Sequence, residues 1–131
     1  MVKFNNFKIY YRSRGTNYNS NFKSYNHDYY ITVVNVDTGV KVGFMYHEGI
    51  AHTAGKPDLI NALYCLYSDG IAYADYDYND FCAEFGYEVY DRTSRSIYNS
   101  CKRQYEKCKK LNYDIYDIVD VYNALNEAVN G

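Results

Sequence analysis

The sequence lacks the features that define several protein classes. It has no tryptophan, one proline and eight glycines in 131 residues, which excludes collagen-like and proline-rich architectures. No run of 18 apolar residues occurs, so we expect no membrane-spanning helix and no membrane partner. The first residues lack the apolar stretch of a secretory signal. We therefore expect the protein to act in a cytosol.

The common sequence signatures of catalysis are also missing. The four cysteines form no Cys-x-x-Cys pair and none lies near a histidine in the sequence, so zinc-ligand spacing is absent. No Gly-x-Ser-x-Gly motif and no phosphate-binding glycine loop occur. Cys101 and Cys108 fall on one face of a helix, and we expect both to be small buried hydrophobes. We predict no metal, no cofactor and no catalytic residue.

One segment, running from His47 through Glu48 to His52, is close to a zinc-protease motif but has the wrong spacing. That motif places two histidines four residues apart on a helix, whereas these are five apart and would point about 140° away from each other. We expect the exit loop of a sheet here. An enzyme that uses His47, Glu48 or His52 is the least supported alternative.

What the sequence does contain is tyrosine, at 19 residues, and enough apolar mass for a core, at 47% hydrophobic residues. A chain of this length and composition predicts one folded domain spanning residues 1–131. Tyrosine can pack in a core with its hydroxyl in water, or it can form a contact surface for a partner. Because tyrosine is so frequent, we expect some tyrosines in the core and others in a contact surface.

Residues 1–50 are predicted to be mainly strands, forming a small antiparallel sheet of about three strands. The β-rich runs lie at 7–12, 29–36 and 40–46. The last two are joined by a short turn ending at Gly39, which is a hairpin signal. The polar segment 13–27 predicts a long loop.

Residues 56–131 are predicted to be mainly helical, with about four helices. Apolar residues at helical spacing place these near 57–70, 78–85, 92–111 and 114–129. Pro57 fits a helix start, Ser68-Asp69-Gly70 predicts the first helix end, and Gly86 fits a position just after a helix. The fold class is therefore α+β, with the sheet packed against the helical half.

The charges are segregated along the chain. Residues 1–55 carry a net charge of +3, while residues 57–91 carry eight acids and no Lys or Arg. Residues 92–110 carry seven bases and one acid, and residues 111–131 carry four acids. We favour internal pairing of the basic helix with its acidic neighbours, because the overall charge is only −2.

The basic helix also predicts an alternative function. Bases at helical spacing could bind the phosphates of a nucleic acid or of a cyclic nucleotide. The candidate phosphate-binding residues are Arg92, Arg95, Lys102 and Arg103.

The acidic segment alternates tyrosine with aspartate and predicts a partner-binding surface. Carboxylates would engage basic groups of a partner, and tyrosine rings provide contact area at low entropic cost. The candidate partner-binding residues are Tyr73, Asp75, Tyr76, Asp77, Tyr78 and Asp80.

Three segments resemble a family of small, mostly uncharacterised phage and prophage proteins. The run from Pro57 to Asp69 resembles that family's Pro-x-Leu-x-x-x-Leu-x-x-Leu-x-x-Asp segment. The run from Phe81 to Tyr87 resembles its Trp-Cys-x-Glu-Phe-Gly-Tyr element, with Phe81 in place of the Trp. Its next helix carries an Arg, an aromatic, a Cys and a Leu, matched here by Arg92, Tyr98, Cys101 and Leu111.

The resemblance implies an accessory protein of a mobile element, a class whose members often counter host immunity, anti-CRISPR proteins among them. From its residues alone, the same motif predicts a structural role, with Phe81 and Phe85 buried and Gly86 reversing the chain. We therefore expect a non-enzymatic inhibitor that binds a host immune protein, such as a Cas nuclease or effector complex, in the bacterial cytosol. A homodimer is left open.

Overall fold

The chain folds into an antiparallel sheet that is covered on one face by helices. The computed structural model describes residues 2–4, 6–19, 24–49 and 57–111, together with Asp120, Asn123 and Glu127 in helical conformation. The α+β fold class predicted from the sequence is confirmed.

Four antiparallel strands lie side by side in chain order within the sheet. Their bounds are β1 Val2–Phe4, β2 Phe7–Asn19, β3 Ser24–Asn35 and β4 Lys41–Gly49. The three expected strands are therefore present, and the short β1 was not predicted. The expected hairpin is also confirmed, because β3 and β4 are joined by a turn in which Gly39 has a φ of 74°.

The long loop predicted over residues 13–27 is wrong. β2 and β3 pair continuously from Phe7 opposite Asn35 to Asn19 opposite Ser24, with one irregularity between Ser13 and Gly15. Backbone hydrogen bonds between the two strands of a long hairpin stabilise it even where the side chains are polar and exposed. A polar composition therefore does not indicate a loop in this segment.

The three helices in the described residues are α1 Leu59–Asp75, α2 Tyr78–Phe85 and α3 Arg92–Lys110. The predictions for α2 and α3 are confirmed. The predicted fourth helix, over 114–129, lies in a part of the chain where only Asp120, Asn123 and Glu127 are described. In the described part of the chain, no helix combines the length and apolar composition needed to cross a bilayer.

α1 does not end at Ser68-Asp69-Gly70 as predicted but continues to Asp75. Gly70 is a buried helical residue against α3, where an added Cβ would lie 3.3 Å from the Tyr105 Cα atom. Glycine at this position therefore allows two helices to approach closely rather than ending one of them.

The sheet and the helices share one hydrophobic core. The core combines one face of the sheet with the apolar stripe of α1 and the end of α3; its fully buried members include Phe7, Ile9, Ile31, Val33, Leu63, Leu66, Cys108 and Leu111. A second, smaller cluster of Phe81, Cys82 and Cys101 joins α2 to α3. Burial of each large side chain contributes about 1.5–3 kcal/mol. Cys101 and Cys108 are buried as predicted.

Candidate functional site

The Tyr/Asp segment 73–80 lies where α1 ends and α2 begins. Tyr73 and Asp75 belong to the last turn of α1, and Tyr78 and Asp80 to the first turn of α2. Asp77 is the N-cap of α2, and its carboxylate accepts a hydrogen bond of 2.8 Å from the Asp80 amide. The segment is therefore a tight junction between two helices.

The tyrosine rings of this segment pack inward against the second cluster. Tyr73, Tyr76 and Tyr78 are half-buried. The Tyr73 and Tyr78 rings lie 5.2 and 5.5 Å from the ring of Tyr98. The Tyr78 hydroxyl donates to the Val89 carbonyl at 2.6 Å. These rings therefore attach α1 and α2 to α3.

The hydroxyl of Tyr98 extends the same network from α3. It donates a hydrogen bond of 3.1 Å to the carbonyl of Tyr76, which lies between α1 and α2. The junction that carries the candidate carboxylates is thus held at a fixed position relative to α3.

The three carboxylates of the segment are exposed, in contrast to its rings. Asp77 has its cap role, while Asp75 and Asp80 present charge at the surface on either side of the junction. Glu84, Glu88 and Asp91 continue this exposed acidic surface toward the start of α3. Its charge favours a basic partner surface.

Beside this junction lies an open groove between α1, α2 and α3 with a volume of about 330 Å³. We call it the acidic–aromatic groove, and its lining includes Asp69, Asp75, Tyr76, Phe85, Tyr87 and Ile97. Burial raises the pKa of the Asp69 carboxyl above its usual value. Burial, followed by the charge of Asp69, raises the pKa of Cys101 to about 11, so this thiol stays protonated at neutral pH and is a poor nucleophile.

Exposed aromatic side chains that were not predicted lie at the groove and in the turn that follows α2. Phe85, which we expected to be buried with Phe81, is 46% exposed, whereas Phe81 is buried. Tyr87 stacks on Phe81 with ring centroids 5.7 Å apart, and Tyr90 is fully exposed. The αL conformation of Gly86, at φ 75°, turns the chain so that these residues follow α2 at the surface. The sequence feature that could have predicted this exposure is the occurrence of large apolar residues directly after a glycine that ends a helix.

The four candidate phosphate-binding bases are all exposed along α3: Arg92, Arg95, Lys102 and Arg103. The Arg95 guanidinium lies 3.6 Å from the centroid of the Tyr78 ring, a cation–π contact that ties α3 to α2. None of the four forms an ion pair with another described residue. We predicted that the basic helix pairs with its acidic neighbours. No ion pair among the described residues supports that prediction.

The structure describes two of the three candidate enzyme residues, His47 and Glu48. His47 lies in β4 and its Nδ1 atom is 2.6 Å from the carboxylate of Asp28. Glu48 is buried and accepts a hydrogen bond of 3.1 Å from the Asp58 amide at the start of α1. His52 lies outside the described residues. No cluster of three metal-binding side chains occurs among the described residues. The expected exit loop is wrong for His47 and Glu48, which continue the strand.

Three comparisons with known proteins add no relative to this picture. No protein-family model matches the chain, and searches of curated proteins and of solved structures returned no match.

Proposed function

We propose that this chain is a phage or prophage counter-defence protein that inhibits a host bacterial immune component by direct binding and catalyses no reaction. The partner we favour is a CRISPR–Cas effector in the host cytosol. The phage part of the proposal is supported by the resemblance of residues 57–69, 81–87 and 92–111 to phage proteins. The binding mode is supported by the surface around the acidic–aromatic groove.

The observation that carries the binding proposal is the exposure of large aromatic side chains at a groove and in the turn that follows α2. Phe85 lines the groove and Tyr90 lies in that turn; both are exposed to solvent, although each could bury a large apolar area against a partner. Aromatic residues that enter a partner's pocket commonly dominate the energy of protein–protein interfaces. Because the groove wall is held by rings that pack between α2 and α3, little conformational entropy would be lost on binding.

The charge of this surface indicates the chemistry of the partner. Residues 57–91 contain eight acids and no Lys or Arg, and Asp75, Asp80 and Glu84 are exposed among them. A partner surface rich in Lys and Arg, such as one that binds nucleic acid, complements this surface. Occupation of that surface would prevent an immune nuclease from holding its target.

The proposal is tested with the full-length chain and purified, RNA-loaded Cas nucleases from the bacterial host, measuring target-DNA cleavage. We expect wild-type chain to inhibit one of them. The Phe85→Ala, Tyr90→Ala double variant should need about tenfold more protein for half inhibition, since loss of a hot-spot side chain costs over 1 kcal/mol.

Two single charge reversals distinguish a specific effect of the acidic surface from a general effect of the protein's net charge. Glu84 lies on α2 directly before Phe85 of the groove lining, whereas Glu106 lies on α3, and both glutamates are exposed. We expect Glu84→Lys to weaken inhibition and Glu106→Lys to leave it unchanged. Equal inhibition by both variants and by the double variant would contradict the assigned surface. No inhibition of any immune nuclease by the wild-type chain would contradict the function.

A second candidate function is supported by the exposed bases of α3. Arg92, Lys102 and Arg103 form no ion pair with another described residue, which leaves them able to bind phosphates. The chain would then capture a cyclic nucleotide or a nucleic acid. Calorimetry at low salt tests this function, with a Lys102→Glu, Arg103→Glu double variant expected to lose the heat of binding.

A further inference from the structure

The face of the sheet that points away from the helices carries its own set of side chains. Residues that alternate with the core residues along β2, β3 and β4 form three rows across the sheet. The rows are Lys8–Val34–Lys41, Tyr10–Thr32–Gly43 and Arg12–Tyr30–Met45. We call these nine residues the open sheet face.

Aromatic rings occupy the middle of the open sheet face. Tyr10 is 45% exposed, and Tyr30 is half-buried on the neighbouring strand. The Tyr30 phenol fills the space above Gly43 that a Cβ at this position would need, so the glycine lets the ring lie close to the sheet. The Arg12 guanidinium is 5.2 Å from the centroid of the Tyr30 ring. These contacts hold the Tyr30 ring in one position, so the sheet presents an ordered aromatic surface.

The edge of the sheet adds a hollow next to these rings. Among the described strands, β1 pairs with β2 only at residues 7–9, so within them β2 is a sheet edge from Tyr10 onward. A hollow of about 310 Å³ lies there, lined by Tyr10, Tyr11, Arg12, Tyr30 and Thr32. Its walls combine phenol rings with a guanidinium, two groups on which a planar base can stack.

The charge on this face has one sign. Lys8, Arg12 and Lys41 are its three charged residues, and all three are basic. The next position along β3 beyond the open sheet face is Asp28, which is buried and paired with His47. Within the described strands, a polyanion on the open sheet face would therefore meet three cations and no exposed carboxylate. This complementarity distinguishes it from the acidic–aromatic groove, which would repel a polyanion.

We propose that the open sheet face binds single-stranded nucleic acid, with bases stacked at Tyr10 and Tyr30 and phosphates held by Lys8, Arg12 and Lys41. A sheet of this width accommodates two or three bases, as in other sheets that stack bases on aromatic residues. Stacking favours an unpaired strand, because the bases of a duplex are already stacked on each other. The proposal is independent of the proposed inhibitor function and of the basic face of α3.

Binding is tested by fluorescence anisotropy of the full-length chain with a labelled 12-nucleotide oligo-dT at low salt. We expect saturable binding that weakens as salt rises, with a slope of about −2 in a plot of log affinity against log salt, since three phosphate contacts on a single strand contribute about −0.7 each. Tyr10→Ala should weaken binding by roughly 5- to 150-fold, and Tyr10→Phe should retain it, because one stacked base is worth about 1–3 kcal/mol.

Two matched controls locate the site. Tyr64→Ala removes a ring that is 48% exposed on α1, and we expect no change in affinity. The double charge reversal Lys8→Glu, Arg12→Glu should abolish binding. A double reversal at two exposed bases of α3 outside the candidate phosphate-binding residues, Lys109→Glu with Lys110→Glu, should leave it within twofold of wild type. Circular dichroism spectra check that each variant is folded.

Three results would overturn the proposal. The first is the absence of oligo-dT binding at low salt. The second is binding that Lys102→Glu with Arg103→Glu abolishes and the sheet reversal spares, which would move the site to the basic helix. The third is equal affinity for a 12-base-pair duplex with no effect of Tyr10→Ala, which would indicate attraction by charge alone.

Discussion

Two buried tyrosines in the sheet differ in whether their hydroxyl groups are hydrogen-bonded. Tyr29 is fully buried, and its hydroxyl finds no hydrogen-bond partner among the described residues. Tyr46 is also buried, but its hydroxyl oxygen accepts a hydrogen bond of 2.7 Å from the Asn61 side chain on α1. Burial raises the pKa of Tyr29, and it raises the pKa of Tyr46 to about 12 even though that hydrogen bond opposes the shift.

The same chemical change at these two positions should have opposite effects. Tyr29→Phe removes a hydroxyl that lost its water on folding and gained no hydrogen-bond partner among the described residues, so we expect the free energy of unfolding to be unchanged or to rise by up to about 1 kcal/mol. Tyr46→Phe removes a hydrogen bond between the sheet and α1, and should lower the free energy of unfolding by about 0.5–1.5 kcal/mol. Urea unfolding measures both; destabilisation by Tyr29→Phe as large as that by Tyr46→Phe would contradict the assignment.

At the scale of elements, the contact between α1 and α3 depends on Gly70. A Cβ at this position would lie 3.3 Å from the Cα atom of Tyr105 and 3.7 Å from the sulfur of Cys108. Backbone atoms cannot rotate away as a side chain can, so a larger residue must push α3 outward. Since α3 carries Cys108 and Tyr105 against the main core, such a shift would loosen that core as well.

We expect Gly70→Val to destabilise the fold by about 1–3 kcal/mol through overpacking, although valine is the better helix former. Ala74→Val is the control, because Ala74 lies on the same helix and is exposed. The midpoints of urea unfolding give the comparison. A Gly70→Val protein as stable as wild type would show that the two helices are not in close contact there.

At the scale of the molecule, the side chain of Asn35 connects the sheet to the end of the helical layer. This buried asparagine ends β3, and its amide nitrogen donates a hydrogen bond of 2.8 Å to the carbonyl of Leu111, which caps α3. Its amide oxygen accepts hydrogen bonds from the backbone of the following turn at Asp37 and Thr38. One residue therefore joins a turn to a helix end 76 positions away in the sequence.

Asn35→Asp should separate these two functions. The aspartate can still accept from the turn amides but cannot donate to Leu111, so we expect a loss of about 1–3 kcal/mol in the free energy of unfolding. Asn99→Asp makes the same change at an exposed position of α3 and should have a small effect. Thermal unfolding of the two variants gives the comparison, and equal melting temperatures would argue against the connection.

The wrong expectations at the level of whole elements share one cause. The loop predicted over 13–27 and the helix end predicted at Gly70 were both inferred from residue types that favour turns. In the fold, the first segment is held by pairing with β3 and the second by packing against α3. Glycine, serine and asparagine weaken local structure by about 1 kcal/mol or less each, which such tertiary contacts exceed.

The sequence by itself determined the elements whose signals are local. Asp77 and Gly86 mark the two ends of α2, and the spacing of Cys101 and Cys108 marks the buried face of α3, because caps and apolar periodicity act within a few residues. Only the tertiary structure decided which tyrosines are exposed. Tyr73 and Tyr78 turn inward because rings from α3 meet them, while Tyr10 and Tyr90 remain exposed. Burial depends on residues distant in the sequence, and a tyrosine suits either environment.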